Sequence, residues 1–144
     1  MVLGQQENNM NLTIAFSTRK KEELYIQQLK ETSGMRNVEV LCYENPNGES
    51  LTKIYNKALK EAKNDIILFC HDDMVGIVNH SNEGKTWESK YSRPFLNNII
   101  PVVMLDGLFF AVDRKKIVKN FNEEVSGFHF YDVDFCFRNY IEGV

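Results

Sequence analysis

The sequence predicts an α/β domain: a mainly parallel sheet with helices on both faces. Two observations carry that prediction. Three short β-type runs, "LTIAFS" (12–17), "VEVLCY" (38–43) and "IILFC" (66–70), are separated by single stretches of helical character. Strands joined by one helix each pair in parallel through crossovers, which put helices on both faces of the sheet. The third run, within "IILFCHDDM" (66–74), is apolar without alternation and leads straight into a histidine and two carboxylates. That is the pattern of a strand buried on both faces.

The elements follow in order. Residues 1–11, "MVLGQQENNMN", are a polar tail with no signal-peptide core, so the single domain is expected over 12–144. After the first strand, "KKEELYIQQLKETSG" (20–34) is rich in helix formers and closed by Gly34. "ENPNGES" (44–50) reads as a turn, because Asn-Pro and Asn-Gly break regular structure. Leu51, Ile54, Tyr55, Ala58, Leu59 and Ala62 then recur at helical spacing, with Ser50 at the N-cap position. Residues 75–98 have no clean period and read as loop; Trp87 is either an anchor of that loop or an aromatic platform. "IIPVVML" (99–105) and "LFFAV" (108–112) are strand-like runs around Asp106-Gly107. Asp-Gly suits a tight hairpin or a close approach of backbone to a ligand. In "GFHFYDVDFCFRNYIEG" (127–143), Phe128 and Phe130 alternate like a strand end. A helix is expected from Asp132, with Val133, Phe137, Tyr140 and Ile141 as its buried stripe.

A chain of 144 residues suggests one domain. It can bury about two thirds of its surface without staples. A net charge of −3 argues against a general nucleic-acid footprint. Arg19-Lys20-Lys21 and Arg114-Lys115-Lys116 read as solvated helix starts, with phosphate contact as the alternative. Cys42, Cys70 and Cys136 are odd in number and form no CxxC pair. Reduced, strand-buried thiols in a cytoplasmic protein fit better than a disulfide framework. No apolar run approaches the ~20 residues of a membrane span.

In open α/β sheets, ligands bind at the carboxyl ends of the strands. Ser17, Glu44 and Asp72-Asp73 end the three predicted strands and gather on that edge. The acid pair is either a solvated turn, with one Asp capping the next element, or a cation site. Asp132, near a helix N-terminus, is an N-cap or a functional carboxylate. His129, between two phenylalanines, is a packed histidine or a ligand.

Three stretches in this order, "YNKALKEAKNDIILFCHDDM" (55–74), "LDGLFFAVDR" (105–114) and "GFHFYDVDFCFR" (127–138), resemble a glycosyltransferase of the GT-A fold, similar to family 2. More narrowly, they are similar to the glycosyltransferase-like branch with an HDD triplet in place of Asp-x-Asp. The resemblance covers residues 12–74 and 99–143. It implies a shortened GT-A-like (Rossmann-like) fold. It also implies transfer, with inversion, of a sugar from a nucleotide-diphosphate sugar to a saccharide or other hydroxyl acceptor, assisted by Mn²⁺ or Mg²⁺. By the family's pattern, Asp73 is the metal ligand, and Ser17, Glu44, Asn56 and Asp72 meet the nucleotide. Asp106, Gly107 and His129 line the sugar and acceptor pocket; Asp132 is the catalytic base, with Asp134 second. Relatives commonly place a helix and strand after the triplet. Here "HDDM" runs at once into "VGIV" (75–78), so a break or shortcut is expected at Met74–Val75.

The implied chemistry suits these residue types. A divalent cation offsets the charge of a diphosphate leaving group and needs only one or two carboxylates beside the phosphates. A carboxylate base then accepts the proton of the attacking hydroxyl. Two other classes remain open. One is a non-catalytic nucleotide-sugar-binding or interaction domain. The other is a different metal-dependent nucleotide enzyme, such as a nucleotidyltransferase, although "FSTRKKEE" lacks the glycines of a phosphate loop.

Overall fold

The structure is a computed structural model that describes residues 11–32, 37–72, 103–105 and 107–144. The expectations for Asp73, Asp106, Trp87 and the Met74–Val75 join lie outside the described residues.

The element order is β1 (Leu12–Thr18), α1 (Glu23–Thr32), β2 (Val38–Glu44), α2 (Leu51–Glu61), β3 (Ile66–Cys70), β4 (Phe109–Asp113) and α3 (Tyr131–Tyr140). The strands form one sheet in the order β2-β1-β3-β4. β1 lies between β2 and β3 and pairs with both in parallel, so that Ile14 sits opposite Val40 on one side and Leu68 on the other. β4 runs antiparallel to β3, with Phe110 opposite Phe69. The parallel core and its three strands stand where the sequence placed them. The run 108–112 is β4, which pairs with β3; of the run 99–105, the described residues 103–105 are irregular.

The period of two sorts side chains onto two faces. Leu12, Ile14 and Phe16 of β1 pack with Ile26 of α1 on one face. Ala15, Ile67 and Phe69 pack with α2, β4 and α3 on the other. Helices therefore cover both faces, as predicted. Phe16, Phe69 and Tyr55 are almost fully buried. Burial of each such side chain contributes roughly 1.5–3 kcal/mol.

The turn after β2 forms where Asn-Pro and Asn-Gly predicted it. The Asn45 amide donates to Glu49 O and accepts from Glu49 N, at 2.8 and 2.6 Å. Gly48 takes a φ of 69°, which glycine adopts without a side-chain penalty. In α2 every residue of the predicted stripe is buried. Ser50 holds the N-cap position, but its hydroxyl donates to Val125 O at 3.1 Å rather than capping the helix.

The end of the chain differs from expectation. Phe128 and Phe130 form no strand and are exposed, and Phe130, not Asp132, is the N-cap residue, with a left-handed φ of 61°. The buried face of α3 is Tyr131, Phe135 and Asn139. The stripe expected to be buried is exposed, with Phe137 and Ile141 at 52% and 64% of their full accessibility. Phe135 wins because it stacks on Phe121, at 4.1 Å between ring centroids and 16° between planes. All three cysteines are free; Cys42 and Cys70 lie on strands, and Cys136 lies half-buried on α3. Among the described residues, no helix is long and apolar enough to cross a membrane.

Candidate functional site

Because β1, β2 and β3 are parallel, Ser17, Thr18, Glu44 and Asp72 lie at one edge of the sheet. The loop leaving β1 is bent by Thr18, whose hydroxyl donates to Lys20 O at 3.2 Å. Its carbonyl accepts from Asn45 N at 2.7 Å, which ties this loop to the turn after β2. α1 begins only at Glu23, so Arg19, Lys20 and Lys21 are not a helix start but a cationic loop on the ligand edge. Lys21 pairs with Glu23 at 2.9 Å, and that contact raises its ammonium above the ordinary range.

Two clefts open on this edge and share Thr18, Arg19 and Asp72. The smaller, about 320 Å³, runs toward α1 past Phe16, Lys20, Tyr25 and Cys42. The larger, about 700 Å³, is bounded by Ser17, the turn Asn45–Gly48 and Phe128. The Tyr25 hydroxyl donates to the backbone carbonyl of Asp72, which holds the end of β3 against α1. Burial pushes the Cys42 thiol up, so it stays protonated and is a poor nucleophile.

A second cluster joins the ends of β3, β4 and α3. The Gly107 N–H donates to Asp132 Oδ2 at 2.7 Å, and the Tyr131 hydroxyl donates to Gly107 O at 2.8 Å. His71 Nε2 lies 3.0 Å from the Tyr131 hydroxyl, and His71 N donates to Leu108 O at 3.2 Å. A Cβ on residue 107 would lie 2.2 Å from Tyr131 Oη, so only glycine fits. The backbone at Gly107 is closely approached, and among the described residues the groups that approach it are Tyr131 and Asp132.

The predicted residues thus divide. Ser17 and Asp72 line the larger cleft, and Asp132 and Gly107 meet in the second cluster. Glu44 is exposed at the same edge but lines neither cleft. His129 is exposed rather than packed. Asp134 turns to Arg138 at 3.6 Å, and its buried Oδ2 has no hydrogen-bond partner. Asn56 does not reach the edge. Its amide donates to Phe121 O and Glu123 Oε1 and accepts from Phe121 N, each at 2.9 Å. With its amide engaged on both sides and buried, Asn56 braces the Phe121 segment instead of meeting a nucleotide. Sequence reasoning gave Arg19 and Lys20 phosphate contact only as the alternative, and assigned no role of their own to His71, Tyr25 or Tyr131. The available signal was the position of the basic run directly after a strand that ends at the ligand edge.

Among the described residues, no group of three or more His, Cys, Asp and Glu side chains could hold a metal ion. Asp72, exposed between the two clefts, supplies a carboxylate. That donor set fits Mg²⁺ or Mn²⁺ carried in by phosphate, which keeps its waters, and does not fit a cage built by protein alone. No protein-family model matches the chain, and no curated protein is significantly similar to it in sequence. Motif and geometry therefore carry the functional reading.

Proposed function

We propose that this domain binds a nucleotide-diphosphate sugar at the carboxyl edge of its sheet and transfers the sugar to a hydroxyl acceptor with inversion, as a glycosyltransferase of GT-A type. The observation that supports this best is the pair of clefts meeting at Asp72, with Arg19 and Lys20 on their walls. Divided between nucleoside and sugar, two adjoining clefts offer room for both. Guanidinium and ammonium groups between them suit the diphosphate that links the two.

Asp73, with Asp72 beside it, would hold Mn²⁺ or Mg²⁺, which when bound offsets the charge of the diphosphate leaving group. Arg19 and Lys20 add positive charge from the other wall. Asp132 accepts the proton as the acceptor oxygen bonds to the anomeric carbon and the bond from that carbon to phosphate breaks. Each Asp132 oxygen takes one backbone N–H, from Gly107 or Val133, and a carboxylate oxygen can accept more than one.

A thermal-shift series with nucleoside diphosphates and nucleotide sugars, with and without Mn²⁺, tests the reading. A ligand at 100 times its dissociation constant adds about 2.7 kcal/mol of stability. Arg19→Ala is expected to weaken a nucleoside diphosphate about tenfold, one charge-assisted contact, and to leave the nucleoside unchanged. A chain that no nucleotide stabilises, with or without Mn²⁺, would remove this reading. The two backbone bonds on Asp132 also favour a second reading, a non-catalytic nucleotide-sugar-binding domain. Tight binding without sugar transfer would select it.

A further inference from the structure

We infer that His71 and Tyr131 are positioning residues: a relay that grips the Gly107 peptide and thereby aims the Asp132 carboxylate. The inference rests on the assignment of Asp132 as the base, but its geometry is independent of that assignment.

The relay follows from counting protons. A phenol carries one hydrogen, and Tyr131 gives it to Gly107 O at 2.8 Å. Toward His71 Nε2, 3.0 Å away, Tyr131 must then accept, so Nε2 must carry a proton. In the other tautomer, Nε2 has a lone pair facing the phenol oxygen. Tyr131 would have to turn its hydrogen to His71, and the carbonyl of buried Gly107 would lose that donor. The arrangement thus selects the Nε2–H form of His71.

The consequence reaches Asp132 through one residue, whose N–H and carbonyl belong to the two peptide groups on either side of its Cα. Residues 131 and 132 hold the two sides of residue 107: Tyr131 takes its carbonyl and Asp132 Oδ2 takes its N–H at 2.7 Å. The missing side chain lets the helix mouth close on it, since a Cβ would also lie 3.0 Å from Asp132 Oδ2. Tyr131 is 3% exposed and packs edge-on against Tyr55 at 5.6 Å, so it has little room to shift. His71 is itself held, because its N–H donates to Leu108 O at 3.2 Å. Within the HDD triplet the roles therefore separate. Asp72 faces the clefts, and His71 faces Tyr131, which holds the residue that Asp132 binds.

Nitrogen-15 NMR of the full chain tests this without any assay of activity. His71 in the neutral form is expected to show a protonated Nε2 and a pyridine-type Nδ1. The Gly107 amide proton is expected far downfield, as a donor to a carboxylate. Tyr131→Phe should let His71 populate both tautomers and move the Gly107 amide upfield. His71→Gln, which keeps a donor, should preserve the amide signal, and His71→Leu should lose it. A pyridine-type Nε2 in the wild type, or a Gly107 amide indifferent to Tyr131→Phe, would overturn the relay. If the chain transfers sugar, Tyr131→Phe should lower kcat about ten- to a hundredfold, the scale of a misplaced group, with KM for the nucleotide sugar unchanged. Loss in KM alone would show that the grip serves binding and sink the positioning role. A wild type without transfer would defeat the glycosyltransferase reading, while the NMR still decides whether the relay exists.

Discussion

α2 and α3 are both amphipathic helices read from periodicity, yet one prediction named the buried face and the other named the exposed one. In α2 the apolar residues form a single stripe, Leu51, Ile54, Tyr55, Ala58, Leu59 and Ala62, and all of it is buried. α3 carries two candidate stripes. Val133, Phe137, Tyr140 and Ile141 make the more continuous one, and it faces outward. Tyr131, Phe135 and Asn139, two aromatics and an amide, face the core. Periodicity identifies a helix in both cases, but it chooses a face only where the stripe is unique. In α3 the choice fell to partners elsewhere in the chain. Phe121 stacks on Phe135, and the Asn139 amide accepts from the N–H groups of Val118 and Lys119 at 3.0 and 2.9 Å.

The sharpest way to break this comparison is to truncate one ring from each stripe of α3. Phe135→Ala should cost about 3–5 kcal/mol, the range for a buried phenylalanine, while Phe137→Ala should stay within about 0.5 kcal/mol. Urea denaturation of both variants measures this, and equal losses would mean that the outward stripe is covered.

Next in size is the contrast between the carboxylates on α3. Asp132→Asn should reduce sugar transfer at least about a hundredfold while nucleotide binding survives, the scale of a lost general base. Asp134→Asn should cost less turnover, because Asp134 pairs with Arg138 on its own helix. The reverse order of kcat values would mean that the wrong carboxylate has been assigned.

The buried amides allow a test across both helices. Asn56→Ala would leave the Phe121 N–H and carbonyl without side-chain partners, and Asn139→Ala would do the same at Val118 and Lys119. Each should lose about 1–3 kcal/mol by chemical denaturation, the cost of orphaned buried polar groups. A loss confined to one of the two would show that only that helix needs its amide. The smallest effect belongs to the outer face of α2. Lys57 stands 3.9 Å from Glu61 and is exposed, so Lys57→Gln should change stability by no more than about 0.5 kcal/mol. A larger loss in the same titration would mean that the Tyr43 ring, 5.2 Å from the Lys57 ammonium, adds to the pair.

The candidate site was legible to the same uneven degree. Ser17 and Asp72 were found from strand ends alone, because three parallel strands must present their carboxyl ends together. Asp132 and Gly107 came from a motif resemblance, and the structure brings them within 2.7 Å. Asn56 came the same way and was misplaced, since nothing local shows that its partner is Phe121. The basic run 19–21 was read as a helix start because helix-forming residues follow it. The helix instead begins at Glu23, and the bend at Thr18 leaves Arg19 and Lys20 on the clefts.

By itself the sequence determined the β-α-β-α-β order, the parallel core and the buried face of α2. Each is a matter of apolar residues repeating at a period of two or 3.6 over a few turns or strands, a property of neighbours along the chain. Tertiary structure decided the buried face of α3, the bracing roles of Asn56 and Asn139, and the junction of His71, Gly107, Tyr131 and Asp132. Those depend on which hydrogen-bond donor meets which acceptor, and their partners stand between 20 and 67 residues apart, with the one exception of the Asn139–Phe135 turn. No local period records a pairing at that distance, because burial demands only that each polar group find a partner and leaves the identity of the partner to the packing.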